Sequence, residues 1–124
     1  FDVLEAMLLA HACAMFEHHT FESVVAQGVQ LHRFEATTFE QRAMLSELIE
    51  SRDIFEGYFK QAIEAAIADG TVGNLDVSIT AKALLGALQW SIYWYRPRQE
   101  DDDESRMKLA RRLVKPLVEG LRSR

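Results

Sequence analysis

Apolar residues recur at spacings of three and four along almost the whole chain, which is the period of an amphipathic α-helix. Breaks in this pattern are few, since the chain holds only six glycines and two prolines. The sequence therefore predicts an all-α fold, a bundle of about five helices. They are expected at about residues 2–19, 20–33, 38–68, 76–96 and 101–121.

Residues at the predicted helix ends fit the known preferences for helix capping. The sequence TFEQ at 38–41 is a capping-box pattern that opens the third helix, and Asp76 is the expected cap of the fourth. The acidic run DDDE at 101–104 favours the start of the fifth helix, because acids stabilise a helix N-terminus. The sequence DGTVG at 69–73 supplies a glycine stop, and Pro97 disfavours helix in the residue before it.

The fourth predicted helix is apolar on two opposite sides, at about 100° per residue. One side carries Ile79, Ala83, Gly86, Ala87, Trp90 and Trp94. The other carries Ala81, Leu84, Leu88, Ile92 and Tyr95. A helix that is apolar on both sides must be buried on both sides. It is either a central core helix covered within one chain, or a helix whose second side packs on another copy in a symmetric dimer.

Composition narrows the class of protein. With 124 residues, 48% of them hydrophobic, the chain suits one compact domain over 1–124. A net charge of −5 argues against a nucleic-acid surface on this chain, which would need clustered Lys and Arg. The longest apolar run, at 6–16, is too short for a membrane span, which needs about 20 residues. Cys13 is the single cysteine, so we expect no intrachain disulfide and a cytoplasmic location.

Several stretches resemble the C-terminal domain of the TetR/AcrR family of bacterial transcriptional repressors. They are RDIFEGYFKQAIEAAIADG at 52–70, ADGTVGNLDVSITAKALLGALQWSIYWYRP at 68–97 and LVEGL at 117–121. The resemblance covers essentially the whole chain, and GALQWSIYWYRP is its most specific part. It implies that the preceding helices enclose an effector pocket and that the last two long helices pair with those of a partner in a four-helix dimer interface.

By this resemblance the chain is the ligand-binding and dimerisation half of a homodimeric repressor. The family's N-terminal helix-turn-helix domain is not present in residues 1–124, so any DNA contact is expected through that missing domain. The candidate dimer-interface residues are Ala83, Gly86, Ala87, Trp90, Trp94, Ala110, Leu113, Val114 and Leu117.

Charged and polar residues interrupt the inward faces of the first and third helices. Arg52 and Glu56 lie within an apolar stripe, where they either close on each other as an i,i+4 ion pair or leave Arg52 to anchor an anionic ligand. His11 is similarly either a core imidazole or a polar group of a pocket. The candidate ligand-binding residues are His11, Met15, Arg52, Phe55, Tyr58, Phe59, Gln89 and Arg96.

The WYRP ending of the fourth helix resembles regulators of fatty-acid, sterol and acyl-CoA catabolism. It implies a hydrophobic effector, such as an acyl-CoA or another lipid-like molecule, that causes release from DNA. Arg96 and Arg98 then become candidates for phosphate contacts. Alternatively, Arg96 caps the C-terminus of its helix, where a cation is favourable.

Two other classes of protein were weighed. An enzyme is not expected, because the chain shows no phosphate-binding loop or nucleophile elbow, and no cofactor is predicted. No metal site is predicted either, since His19 with Glu22 and His32 with Glu35 run in the order opposite to the Glu-x-x-His pairs of di-iron bundles. The alternative function is a helical homodimeric interaction module without a small-molecule ligand.

Overall fold

The structure is a computed structural model that describes residues 1–34 and 38–123, with the backbone alone at 28–34, 41 and 45. The described residues form five helices of three or more turns and one single-turn helix, which confirms the all-α prediction. The helices are α1 (Asp2–Glu17), α2 (His19–Phe34), α3 (Phe39–Ala68), α4 (Val77–Gln89), α5 (Ser91–Trp94) and α6 (Asp103–Glu119).

The predicted fourth helix is divided into α4 and the single turn α5. The amide of Tyr93 donates to the carbonyl oxygen of Trp90 at 3.0 Å, so the backbone tightens to an i→i−3 bond at this point. Tyr95 is already extended, with ψ of 134°. The helical segment therefore ends at Trp94, close to the predicted end near Arg96, but it is divided at Trp90 and not continuous.

Two of the predicted helix starts are capped by side chains. The Asp76 carboxylate accepts a hydrogen bond from the amide of Ile79 at 3.0 Å, as predicted. Asp102 and Ser105 form a reciprocal capping box at the start of α6, with bonds of 2.8 and 2.9 Å. The side chain of Gln41, which belongs to the predicted capping box at 38–41, lies outside the described residues.

The end of α3 is fixed by a glycine and by the C-terminal segment. Gly70 has φ of +83°, a left-handed conformation that L side chains adopt at a cost. The following loop then pairs with the end of the chain, since the amide of Gly73 donates to the carbonyl oxygen of Leu121 at 3.0 Å. The predicted glycine stop is confirmed, and the loop after α3 is tied to the segment after α6.

The core is built around α1, which packs against α6, α4 and α3. Its own contribution to the core is Leu4, Leu8, Ala12 and Phe16. The surrounding helices contribute Phe59 and Ile63 from α3, Ala81, Leu84, Leu85 and Leu88 from α4, and Ala110, Val114 and Val118 from α6. One apolar side of α4 is therefore buried within the chain, on the central helix.

The structure corrects two of the predicted dimer-interface residues. Ala110 and Val114 on α6 are fully buried in the core that surrounds α1. Their own chain covers them, so the prediction that they lie in a dimer interface is wrong. Leu113 and Leu117, on the flank of the same helix, are only half-buried and remain accessible to a partner.

Truncation of a central residue of α1 tests this core. Leu8 has 0% exposure, so Leu8→Ala should lower the free energy of unfolding by about 2–5 kcal/mol through lost burial and the cavity left behind. The matched control is Val3→Ala on the same helix, at a residue 68% exposed, which should change stability by about 0.5 kcal/mol or less. Urea unfolding at one fixed chain concentration measures both, and equal losses would contradict this packing.

Candidate ligand-binding site

A cavity of about 420 Å³ lies between α1, α2, α3 and the α4–α5 segment. Small-molecule sites usually have volumes of about 300–1,000 Å³, so this one is large enough for a ligand of moderate size. We call it the main cavity, and its walls are His11, Met15, Phe21, Glu22, Val25, Ala26, Leu48, Ser51, Arg52, Phe55, Gln89 and Ile92.

The main cavity exists because the two halves of α3 pack differently against the rest of the chain. In the C-terminal half, Phe59 and Ile63 are buried against the central helix. The N-terminal half extends past the core, and its Leu48 remains exposed in part, as does Phe55 just beyond the midpoint of the helix. With α2 lying alongside, this half of α3 borders an open space that no core residue fills.

His11 places an imidazole in the apolar wall of the main cavity. Its ring lies 5.0 Å from the ring of Phe55 and 6.1 Å from that of Phe59, measured between centroids. The Nε2 atom is shielded from solvent and has no hydrogen-bond partner in the described part of the chain. Burial lowers the pKa of His11 below its ordinary value of 6.5, because the charged form loses hydration. At neutral pH the cavity wall therefore carries a neutral imidazole.

The expected ion pair between Arg52 and Glu56 is not formed. The Glu56 carboxylate instead pairs with Lys60 at 3.4 Å and with Lys82, from α4, at 3.2 Å. Desolvation works to raise the pKa of Glu56, but the hydrogen bonds from the two lysines outweigh it and hold this pKa below its ordinary value. Arg52 has no hydrogen-bond or ion-pair partner among the described side chains. Its guanidinium is thus free to bind an anion at the wall of the main cavity.

Five of the eight predicted ligand-binding residues line the main cavity: His11, Met15, Arg52, Phe55 and Gln89. The other three do not. Phe59 is buried behind His11 and Phe55, and Tyr58 is exposed and does not line the cavity. Arg96 donates a long hydrogen bond of 3.4 Å to the carbonyl oxygen of Tyr93, which fits a cation at a helix C-terminus.

Sequence reasoning missed the contribution of α2. Phe21, Glu22, Val25 and Ala26 all face the main cavity. The spacing of Phe21 and Val25 by four residues was the available signal, because it places both on one side of a helix. Glu22, three residues before Val25, also forms a His-x-x-Glu pair with His19 in the sequence, which gives no sign that it faces a cavity.

Side-chain hydrogen bonds fix the cavity wall formed by α5. The Nε2 atom of His19, at the start of α2, donates to the carbonyl oxygen of Ile92 at 2.8 Å. The Tyr95 hydroxyl donates to Asp101 at 2.8 Å, and its ring stacks on that of Phe16 at 4.7 Å. Burial, with the Asp101 hydrogen bond, raises the pKa of Tyr95 to about 12. α5 is therefore held between α2 and the loop that precedes α6.

The outer side of the α4–α5 segment is only partly covered within the described chain. Ile79, Trp90 and Trp94 on this side are exposed large apolar residues. Ala83 and Gly86 are exposed between them, and Ala87 is half-buried. A contiguous apolar surface of this kind is typical of a protein–protein interface.

The other chemistries considered find no site in the described part of the chain. No group of three His, Cys, Asp or Glu side chains there could hold a metal ion. The side chains of His32 and Glu35 lie outside the described residues. Of the described helices, none combines the length and the apolar character needed to cross a membrane.

An all-α bundle with a ligand-sized cavity and one uncovered apolar helix face has the features of a regulatory sensor domain. Comparison with protein families gives the specific assignment: residues 2–121 match the tetracyclin repressor-like C-terminal domain. The chain belongs to this family, which implies a ligand-binding and dimerisation role in a transcription regulator. The family is typically non-enzymatic. No curated protein matches the chain.

The buried imidazole makes the stability of the domain depend on pH. Because the pKa of His11 is lower in the folded chain than its ordinary 6.5, its stabilising contribution is complete above pH 6.5 and is lost as pH falls through the folded value. Between pH 7.5 and 5, His11→Phe should therefore lose less free energy of unfolding than the wild type. Denaturant titrations at the two pH values measure this difference. His18→Phe, at an exposed residue, serves as control and should keep the wild-type loss.

Proposed function

We propose that this domain senses a hydrophobic effector that carries an anionic group, and that it forms the homodimer of a bacterial, cytoplasmic transcriptional repressor. Effector binding causes the repressor to release DNA. The DNA contact itself belongs to an N-terminal helix-turn-helix domain outside residues 1–124.

One observation carries this proposal: the α4–α5 segment borders the main cavity on one side and exposes an apolar surface on the other. Gln89 and Ile92 line the cavity, while Trp90 and Trp94 alternate with them and are exposed. A ligand that shifts this segment therefore alters the outer surface directly. Coupling requires only that the effector bind one arrangement of the helices more tightly than the other.

The cavity walls indicate the chemistry of the effector. Phe21, Val25, Leu48 and Phe55 supply apolar surface, and Arg52 supplies a cation without a partner among the described residues. Glu22 adds a carboxylate on the α2 wall. A lipid-like molecule with an acidic group fits the apolar surface and the cation. The acyl-CoA implied by the family resemblance fits with its acyl chain in the main cavity.

The outer surface of α4 and the adjoining flank of α6 form the proposed dimer interface. Its residues are Ala83, Gly86, Ala87, Trp90, Trp94, Leu113 and Leu117. Small residues at Ala83 and Gly86 allow a partner helix to approach closely, and the two Trp side chains contribute large contact area.

Loss of the free guanidinium should weaken binding of an anionic amphiphile. Arg52→Gln should bind dodecanoate about tenfold more weakly, since a hydrogen bond to a charged group is worth about 1.5–3 kcal/mol and Arg52 is partly exposed. Isothermal titration below the micelle concentration measures the affinity. Arg96→Gln is the control, because Arg96 does not line the main cavity, and it should bind as the wild type does. An unchanged affinity in Arg52→Gln would contradict the anchoring role.

A charge in the outer surface of α4 should dissociate the dimer. Trp90→Glu buries a carboxylate in the proposed interface and should weaken dimerisation by about 30-fold or more, as for an interface hot spot. The control is Tyr58→Glu, because Tyr58 is exposed to a similar extent, 57% against 62% for Trp90, but belongs to α3 and not to the α4–α5 segment. Sedimentation velocity over a concentration series compares the two variants. A Trp90→Glu dimer as tight as the wild type would place the interface elsewhere.

The alternative, an interaction module without a small-molecule ligand, makes a different prediction for the same experiments. It requires the dimer but no affinity of the main cavity for any amphiphile. A wild-type dimer that shows no heat of binding on titration with dodecanoate, dodecyl phosphate or dodecanol would favour the interaction module.

A further inference from the structure

A second, smaller cavity opens between α3 and α4. It has a volume of about 220 Å³, and we call it the outer compartment. Arg52, Phe55 and Gln89 line both this compartment and the main cavity, so the two spaces adjoin at these side chains. A single elongated ligand that passes between Arg52 and Gln89 would reach both.

The outer compartment has polar walls, whereas the walls of the main cavity are mostly apolar. Lys82 reaches it from α4, with its ammonium group held by Glu56 at 3.2 Å and by the Ser78 hydroxyl at 3.1 Å. Lys60 contacts the same Glu56 carboxylate at 3.4 Å. One carboxylate therefore faces two ammonium groups, and neither lysine has a second acid among the described side chains.

The balance of charge favours an anion. Arg52, Lys60 and Lys82 are the cations in or beside the outer compartment, and Glu56 and Asp53 are the acids. Asp53 is exposed and well solvated, and it has no ion-pair partner in the described part of the chain. The cluster thus carries one positive charge in excess. An anion placed between Arg52 and Lys82 would meet two cationic donors.

We infer that the outer compartment is the headgroup subsite of the effector site. It takes the carboxylate or phosphate-monoester head of an amphiphile whose apolar chain occupies the main cavity. Lys82 is the specificity-determining residue for the headgroup, and Arg52 stands at the junction between head and chain. This inference rests on the proposed effector-binding function of the main cavity.

The subsite also gives the ligand a contact with α4 beside the proposed dimer interface. Gly86 lines the outer compartment, and a Cβ added there would have no heavy atom within 4 Å. The compartment is thus open at this edge. A headgroup bound there would lie next to the outer surface of α4, where a change of ligand can affect the partner chain.

Two lysine variants form a matched test. Lys82→Met and Lys60→Met each remove one ammonium partner of Glu56, but only Lys82 lines the outer compartment. The probes share a twelve-carbon chain and differ in the head: dodecyl phosphate, dodecanoate and dodecanol. Isothermal titration below the micelle concentration gives each affinity, and circular dichroism verifies that each variant keeps its helix content.

We expect Lys82→Met to weaken the binding of dodecyl phosphate about fivefold or more and to leave the affinity for dodecanol unchanged. A fivefold change corresponds to the loss of one partly exposed charge contact of about 1 kcal/mol. Dodecanoate should be weakened less than dodecyl phosphate, because its head carries less charge. Lys60→Met should bind all three probes within about twofold of the wild type. Equal effects of the two variants on dodecyl phosphate would overturn the headgroup subsite.

A third variant separates failure of the subsite from failure of the main cavity. Ala26→Phe fills space in the main cavity from α2, away from Lys82. If it weakens all three probes while the two lysine variants behave alike, the effector cavity stands and the headgroup subsite is wrong. If Ala26→Phe leaves all three affinities unchanged, the main cavity does not hold the chain, and both the proposed function and this inference fail.

Discussion

The packing of α1 at the centre of the bundle is the interaction on which both candidate surfaces depend. The buried residues of α1 contact α6, α4 and α3. In this arrangement only one of the two apolar sides of α4 is buried within the chain. The other side, with Trp90 and Trp94, is left for a partner. The same central helix supplies His11 and Met15 to the main cavity. Ligand site and interface therefore share one packing arrangement, and the thin α4–α5 segment separates them.

The distribution of charge around α3 gives the cavity its chemical character. Lys60 and Lys82 compete for the carboxylate of Glu56, which leaves Arg52 without an acidic partner among the described residues. The protein itself stabilises an unpaired cation beside apolar walls only weakly. A bound anion that excludes water stabilises it much more. His11 contributes in the opposite way, since its burial favours the neutral imidazole and keeps the deep wall uncharged. The cavity thus has a mostly apolar interior, with the cation of Arg52 on its α3 wall and the carboxylate of Glu22 on its α2 wall.

Local sequence patterns predicted the helices, the Asp76 cap, the stop at Gly70 and the two apolar sides of α4, because each depends on residues close together in the chain. Features that depend on distant neighbours were missed. The i,i+4 spacing suggested a pair between Arg52 and Glu56, whereas Lys82, 26 residues beyond Glu56, takes that carboxylate. Val114 was placed in the interface because a helical wheel shows an apolar stripe but not which helix covers it. The cavity residues of α2 were missed because the spacing of Phe21 and Val25 puts them on one side of a helix but does not show that this side faces a cavity.

The most direct test is a native mass spectrum of the purified wild-type chain, which reports assembly and bound small molecules together. We expect a species of twice 14.2 kDa, since the apolar surface around Trp90 and Trp94 needs cover, with an added mass when an anionic amphiphile is supplied. A chain that stays at 14.2 kDa across the accessible concentration range, with or without amphiphile, would contradict this. The outer surface of α4 would then remain in solvent, and its role as the dimer interface beside a ligand site would be wrong.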